Sequence, residues 1–265
     1  MDCNPLFIAS LNSGSNGNCY YVGNHDEAIL VDAGLSCRET EKRMSRLGLS
    51  MYKIKAIFIS HEHTDHIKGL CTLAAKYDLP IYINDGTLAG CRATLRVDLI
   101  RKLKNNEQVQ IGNLAITSFS KLHDAAEPCS FLITYGTTKI GVFTDIGAIC
   151  EQLTHHFKQC HAAFLEANYD EELLEKSAYP YFLKRRISGG KGHLSNRQAL
   201  ALFIAHKPPF MSHLLLAHLS KDNNCPELVA ELFKQHANGT EIIVASRHEE
   251  TQLYAISEPA IVHSF

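Results

Sequence analysis

The apolar run Ile54-Lys55-Ala56-Ile57-Phe58-Ile59-Ser60 ends directly in His61-Glu62-His63-Thr64-Asp65-His66. Few folds can accommodate that join. A short run rich in β-branched and aromatic residues reads as a buried strand. The histidines must then sit on the loop at its carboxyl end. Imidazole and carboxylate are preferred ligands of zinc and similar divalent ions. His61, His63, Asp65 and His66 offer four such groups within six residues. Alternate residues of an extended turn can converge on one ion, while the next pair serves a second. The plain alternative is a solvated, histidine-rich surface loop. The dense spacing and the apolar strand before it speak against that alternative.

The rest of the chain repeats this rhythm. Leu6 to Leu11 reads as a strand, followed by the turn-rich Asn12 to Asn18. Cys19 to Val22 and Ala28 to Val31 are two more strands, joined by a hairpin turn at Gly23-Asn24-His25-Asp26. Ser36 to Leu47 has helical spacing and stops at Gly48. His66 to Tyr77 reads as one helix and Pro80 to Ile83 as a strand. Further strands are expected at Leu114–Ser118, Ser130–Thr134, Lys139–Phe143, Ala162–Leu165, His213–Ala217 and Ile242–Ala245. Helices are expected after Asp145, at Ser195–Ala205 and at Pro226–His236. The two halves look alike, which favours two sheets packed face to face with helices outside. No linker rich in Pro, Gly or Ser divides the chain, so residues 1–265 are expected to form one domain.

Three residues past other strands extend the metal pattern. His123, Asp145 and His218 each follow an apolar run, as His61 does. Singly, each could be a cap or a surface group. Together they repeat one geometry.

Bulk properties exclude several classes. The 265 residues are 45% hydrophobic and 20% charged, a balance that excludes disorder and coiled coil. A formal net charge of -2 gives no global basic field for nucleic acid, although a local patch is compatible with it. The nine cysteines show no CxxC pair and read as reduced, mostly buried thiols. No apolar run reaches the ~18 to 20 residues of a membrane span. The start Met1-Asp2-Cys3-Asn4-Pro5 has no basic, apolar leader pattern. The expectation is a cytoplasmic protein without a membrane partner.

His61-Glu62-His63-Thr64-Asp65-His66 resembles the HxHxDH signature of the metallo-β-lactamase superfamily, and the resemblance spans almost the whole chain. Ile29-Leu30-Val31-Asp32-Ala33-Gly34 is similar to its first motif, in which the Asp supports the ligand loop from behind. The resemblance implies an α/β fold, the αββα four-layer sandwich of two mixed sheets. It implies that His61, His63 and His123 hold one divalent ion. Asp65, His66 and His218 would hold a second, and Asp145 would bridge both. A hydroxide shared by the two ions would be the nucleophile. Zinc is the foremost metal implied, with manganese or iron also compatible with ligands that lack thiolate. Asp65, given a catalytic part as well, favours phosphoester and nuclease members over penicillin-hydrolysing ones.

Further segments narrow the branch. Ser13-Gly14-Ser15-Asn16-Gly17-Asn18-Cys19, His123-Asp124-Ala125-Ala126-Glu127-Pro128, the stretch from Lys184-Arg185-Arg186 to His193-Leu194-Ser195-Asn196, and His218 to Asn224 occur in one order. This combination resembles the YycJ family of bacterial proteins, also called WalJ or VicX. Members are regarded as DNA exonucleases acting 5′ to 3′, with links to repair and to a cell-wall two-component system. The clearest departures lie between Gly86 and Asn106, from which no functional residue is drawn. A more distant similarity to RNase Z covers Glu166-Ala167-Asn168-Tyr169 and Gly192-His193-Leu194-Ser195. It implies that His193 is the general acid and that Glu166 orients it. The alternative is that Glu166 caps a strand and His193 a helix.

Two features bear on substrate. The loop at 13–18 could offer backbone N–H groups to phosphate, with Asn18 facing the site, or be a plain tight turn. Tyr179-Pro180-Tyr181-Phe182-Leu183-Lys184-Arg185-Arg186 sets aromatic rings beside three cations, a combination suited to stacking on DNA bases and neutralising phosphates. Such a run can equally be a solvated face. The expected function is two-metal phosphodiester hydrolysis, acting as a DNA exonuclease. A small-molecule phosphodiesterase or a lactone or thioester hydrolase is the enzymatic alternative. A non-catalytic regulatory partner in signalling is the alternative of another class. The length leaves no room for the β-CASP domain of larger ribonucleases.

Overall fold

The structure is a computed structural model that describes residues 5–92 and 94–257. Met1 to Asn4, which carried the reading of the chain start, lie outside the described residues. The first sheet contains β1 (Leu6–Asn12), β2 (Cys19–Gly23), β3 (Ala28–Val31), β4 (Ile54–Phe58), β5 (Ile81–Ile83) and β6 (Ile100–Lys102). The second contains β7 (Gln108–Ile111), β8 (Leu114–Ser120), β9 (Cys129–Tyr135), β10 (Thr138–Phe143), β11 (Ala162–Glu166), β12 (His213–Ala217) and β13 (Glu241–Val244). A last strand, β14 (Tyr254–Ile256), returns to the first sheet. The strand orders are β14-β1-β2-β3-β4-β5-β6 and β13-β12-β11-β10-β9-β8-β7.

The helices are α1 (Cys37–Arg46), α2 (Thr64–Ile67), α3 (Leu70–Tyr77), α4 (Asp85–Gly90), α5 (Glu151–Phe157), α6 (Glu171–Lys176), α7 (Tyr181–Ser188), α8 (Asn196–His206) and α9 (Pro226–Lys234). Local chemistry sets several of their starts. Ser36 caps α1 by accepting from the Glu39 N–H. Ser195 and Gln198 form a reciprocal capping box at α8.

Alternation along the strands creates the layers. Successive side chains of a strand point to opposite faces. In β3, Ile29 and Val31 face an apolar layer shared with Ile116, Phe131, Val142 and Phe164 of the second sheet. Ala28 and Leu30 face a different layer with Met44, Leu70 and Leu73 of α1 and α3. In β12, Leu215 and Ala217 look into the central layer. Leu214 and Leu216 look out to Phe157, Leu202, Phe203 and Phe233 of α5, α8 and α9. Both faces of each sheet are therefore buried, and the inner strands read as continuous apolar runs rather than alternating ones. The outcome is the expected αββα sandwich.

The expected helix from His66 to Tyr77 is two pieces. It breaks at Gly69, where a Cβ would lie 1.7 Å from the Leu35 carbonyl oxygen. Gly69 N–H instead donates to the Ala33 carbonyl, tying the ligand loop to the segment after β3. Gly34 is as tight: a Cβ there would meet the Asp65 carbonyl oxygen at 1.7 Å and the Asn18 nitrogen at 2.5 Å. A Gly34→Ala protein should lose about 3 kcal/mol of stability, because neither contact can yield without moving Asp65. Denaturant unfolding checks the loss, and a shift below about 1 kcal/mol would contradict this packing.

Candidate metal centre

The parallel strands deliver the site. Ligands of α/β proteins gather outside the carboxyl ends of strands, and here six strands contribute. Asp32 follows β3, His61 to His66 follow β4, and His123 follows β8. Asp145 follows β10, Glu166 ends β11, and His218 follows β12. Asp32, Asp145 and His218 have φ of +62°, +54° and +57°. For residues other than glycine this left-handed backbone costs ~1–3 kcal/mol and marks sites where function dictates the turn. The turn is what aims each side chain back across the sheet end.

The seven residues that the sequence singled out converge. His61 Nε2 lies 3.0 Å from His63 Nδ1, and His63 Nδ1 lies 3.4 Å from His123 Nε2. A tetrahedral ion with metal–nitrogen bonds of about 2.0–2.1 Å needs nitrogens about 3.3 Å apart. Asp65 Oδ2 sits 3.5 Å from both His66 Nε2 and His218 Nε2. Asp145 reaches across, with Oδ2 at 3.3 Å from His66 Nε2 and Oδ1 at 3.4 Å from His218 Nε2. Its Oδ1 also lies 3.8 Å from His123 Nε2. These positions fall into groups that could each hold an ion: His61, His63 and His123; Asp65, His66 and His218; and His61, His66 and Asp145.

Unsatisfied atoms show that cations fit. Asp145 Oδ2 and His218 Nε2 are buried without a hydrogen-bond partner. A buried polar atom left unpaired costs ~1–3 kcal/mol. A divalent cation would give both atoms a partner, since each lies within 3.3–3.5 Å of other potential ligands of the cluster. The charge states of His61, His123 and Asp145 agree, while against the effect of burial the surrounding carboxylates, Asp145 foremost, hold His66 and His218 above the usual imidazole value. Burial, helped by His66 and Lys121, holds His61 well below its usual pKa, and burial brings His123 down to about 4. Both rings thus present free lone pairs. Burial alone would raise Asp145, yet His218 and His66 hold it well below the ordinary carboxylate range.

Four of the five rings, those of His61, His66, His123 and His218, are held from behind, which fixes the nitrogen each presents. His66 Nδ1 is 2.7 Å from Asp32 Oδ2. Asp32 also accepts from the Ser60 N–H and hydroxyl, both at 2.8 Å. Ser60 Oγ in turn lies 2.9 Å from His61 Nδ1. His123 Nδ1 donates to the Gly192 carbonyl at 2.9 Å. His218 Nδ1 lies 3.2 Å from Glu166 Oε1. Asp32 thus touches the ligand loop at both Ser60 and His66.

Glu166 and His193 form a second feature at the same place. His193 Nδ1 is 2.8 Å from Glu166 Oε1 and 3.9 Å from Asp145 Oδ1. Its ring stacks on His218 at 5.2 Å between centroids. His193 is part-exposed while Glu166 is fully buried. Burial would raise Glu166, but the His193 ring pulls it down to about 2. Glu166 is thus an anion, with Oε2 accepting from the Ile146 and Leu194 N–H groups. It is neither a lone strand cap nor solvated.

In the loop at 13–18, read as either a phosphate nest or a tight turn, several backbone N–H groups are already taken. The Gly14 N–H is taken by Asn18 Oδ1, the Gly17 N–H by the Gly14 carbonyl and the Asn18 N–H by the Asp65 carbonyl. Asn18 is fully buried, and its amide nitrogen lies 3.1 Å from Asp65 Oδ2 and 3.1 Å from His66 Nε2. Asn18 therefore backs the ligands rather than facing substrate. The basic run lies on α7, so its cations diverge. Lys184 is committed to the Glu175 carbonyl. Arg186 pairs with Asp124 at 2.6 Å, and Asp124 faces His123 at 3.4 Å. Arg185 is exposed. Tyr181 and Phe182 are 75% and 74% exposed, rare for aromatic rings, and lie one turn before Arg185 and Arg186.

Residues 27–218 match the family model of the beta-lactamase superfamily domain. The chain is 36% identical over 226 residues to an exodeoxyribonuclease YycJ of Bacillus anthracis, covering 84% of this chain and 86% of that protein. It is 32% identical over 223 residues to an exodeoxyribonuclease WalJ of Streptococcus pneumoniae, covering 82% and 83%. Among solved structures, the metallo-β-lactamase fold protein YhfI of Bacillus subtilis aligns with a TM-score of 0.75 over 95% of this chain and 99% of that one, at 16% identity. The human short-form tRNase Z aligns at 0.63 over 96% and 99%, also at 16% identity. These structural likenesses speak to the fold alone. The class is thus the metallo-β-lactamase superfamily, whose fold implies divalent metal ions. Within it, the chain belongs to the YycJ/WalJ family.

Proposed function

We propose that this protein is a two-metal phosphodiesterase acting on DNA, an exonuclease running 5′ to 3′, with zinc as the foremost metal and manganese or iron as alternatives. The observation that carries the reading is the Glu166–His193 pair set beside Asp145 and His218. Simple hydration of a small ester needs no such pair. Displacing an alkoxide from phosphorus does, because that oxygen departs poorly without a proton. The names of the family relatives support DNA as the substrate.

When bound, the ions supply a water acidified to a pKa of about 7 and neutralise charge on the phosphoryl oxygens. His61, His63 and His123 would hold one ion, and Asp65, His66 and His218 the other. Asp145 would bridge them, and Asp65 would also help orient the attacking water. His193 has Nδ1 fixed by Glu166, so Nε2 is the nitrogen left to protonate the departing oxygen. The buried Glu166 holds the ring in place for that transfer. On α7, Phe182 and Arg186 share one face, along which Arg186 meets Asp124, and Tyr181 and Arg185 share the neighbouring one. Both pairs suit a single strand, with rings against bases and guanidinium groups near phosphates. Among the described residues, no helix is long and apolar enough to cross a membrane. The eight described cysteines are free thiols, which supports a cytoplasmic setting.

The test offers the Zn- or Mn-loaded protein labelled 5′-phosphorylated duplex and single-stranded DNA, beside bis-p-nitrophenyl phosphate and a lactone. Release of nucleotides from the 5′ end is expected. Activity on the lactone alone would reject the reading. DNA binding without any cleavage would favour a regulatory role. A finer expectation concerns α7: Arg185→Ala should weaken DNA binding and reduce the salt slope of the binding constant by about one. An unchanged slope in a filter-binding titration would remove Arg185 from the DNA path.

A further inference from the structure

Beside the metal centre lies a cavity of about 320 Å³, within the ~300–1,000 Å³ range of small-ligand sites. It is bounded by the loop after β12, the start of α9 and the segment after β13. Ser13 joins it to the metal centre. Its hydroxyl accepts from the His218 N–H at 2.7 Å, and the residue also lines the cavity. The wall continues through Leu219 and Ser220, the two residues after His218.

The chemistry of the wall is one-sided. Arg247, Lys221 and His248 line it, and no carboxylate does. Arg247 lies across the glycine-rich loop, its Nη2 donating to Ser15 Oγ at 3.0 Å. A Cβ on Gly14 would come within 2.9 Å of that nitrogen, so the bare backbone makes room for the guanidinium. Arg247 Nε is buried and has no hydrogen-bond partner. Arg247 makes no ion pair among the described residues, and with Lys221 beside it in the wall an anion in the cavity would meet two unneutralised cations. Lys221 is exposed and makes no ion pair among the described residues. Leu219, Val244 and Ala245 supply an apolar floor of the kind a sugar or base can cover.

We propose that this cavity is a phosphate-binding subsite that seats the nucleotide adjoining the one cleaved at the metal centre, through Arg247 and Lys221. The inference rests on the nuclease reading and adds to it a second anchor, away from α7. Such an anchor fixes the distance between the metals and the next phosphate along the strand. Its phosphate is either the terminal monoester of the strand or a bridging diester.

The test compares kcat/KM on oligonucleotides with kcat/KM on bis-p-nitrophenyl phosphate, which is too short to span both places. A hydrogen bond to a charged group is worth ~1.5–3 kcal/mol, so in Arg247→Gln the DNA-to-small-ester ratio should fall roughly 10- to 100-fold. Lys221→Gln, at an exposed and unpaired position where folding is not at risk, should lower the ratio several-fold. Arg247→Lys should restore part of the loss. Metal analysis of each variant accompanies the kinetics. Substrates with a 5′-phosphate or a 5′-hydroxyl separate the two sources. A loss confined to the former identifies a terminal phosphate, and a loss on both identifies a bridging one. A wild-type protein that cleaves DNA, with ratios unchanged in Arg247→Gln and Lys221→Gln, overturns the subsite alone. A wild-type protein that cleaves the small ester but no DNA overturns the nuclease reading and the subsite together.

Discussion

Asp145→Asn protein should fold, bind less metal than the wild type, and lose turnover by on the order of a thousandfold or more. Asparagine keeps the side-chain volume and tolerates the left-handed backbone found at position 145. The change is therefore confined to charge. Asp145 is the carboxylate that reaches both histidine groups, at 3.3 Å from His66 of one and 3.8 Å from His123 of the other. Without its charge, cations held by the two histidine groups would lose the carboxylate that both groups approach. Elemental analysis should show a fall in metal per chain. Thermal melting gives a second readout: an ion present at a hundred times its dissociation constant stabilises the folded state by about 2.7 kcal/mol. Added metal should thus raise the melting temperature of the wild type and raise that of Asp145→Asn much less. Full metal content with full turnover would remove Asp145 from the centre.

His193→Ala is expected to leave metal content unchanged and to lower kcat on DNA by ~10²–10⁴, the range of a lost general acid. The side chain touches Glu166 and stacks on His218, but its Nε2 is not needed by either. A structural role and a proton-donating role predict different substrate dependence. If His193 delivers a proton, the deficit should shrink on a p-nitrophenyl ester, whose phenolate departs without one. If it only braces His218, the deficit should be similar on every substrate and should come with metal loss. Glu166→Gln, which keeps the hydrogen bond but not the charge, should fall between, at about 10- to 100-fold. Equal losses for His193→Ala on both substrates would sink the general-acid assignment.

The site was unusually legible in the sequence because four of its groups are contiguous and the others follow strands. A residue just beyond a buried apolar strand has few places to go, so His123, Asp145 and His218 could be gathered with His61 without coordinates. The same logic yielded the strands that are buried on both faces. It failed where burial is partial. β6 and β7 are mostly exposed, and β14 has three residues, so none gives a continuous apolar signal. The break at Gly69 was invisible because the cause is a carbonyl thirty-four positions away, at Leu35. The contacts of Asn18 with Asp65 and His66 were not legible either, since sequence cannot tell which face of a turn its amide takes. Arg247 carried no signal at all. It is an isolated cation beyond the last strand the pattern revealed, and only the unpaired buried nitrogen distinguishes it.

The place of β1 has a consequence for how the chain acquires its shape. β1 lies between β2 and β14, pairing Leu6 with Ile256. Its outer edge thus stays open until the far end of the polypeptide has left the ribosome. An unpaired edge is a template for joining another chain, and pairings so distant in sequence form slowly. Arg43 and Arg46 of α1 ease the return by holding the His248 carbonyl and the Glu250 carboxylate just before β14. Chains cut short before residue 247 would keep all seven metal-facing side chains and lack the strand that covers β1. They should therefore clump during synthesis while still carrying a complete ligand set, a separation of solubility from chemistry that a single truncation can expose.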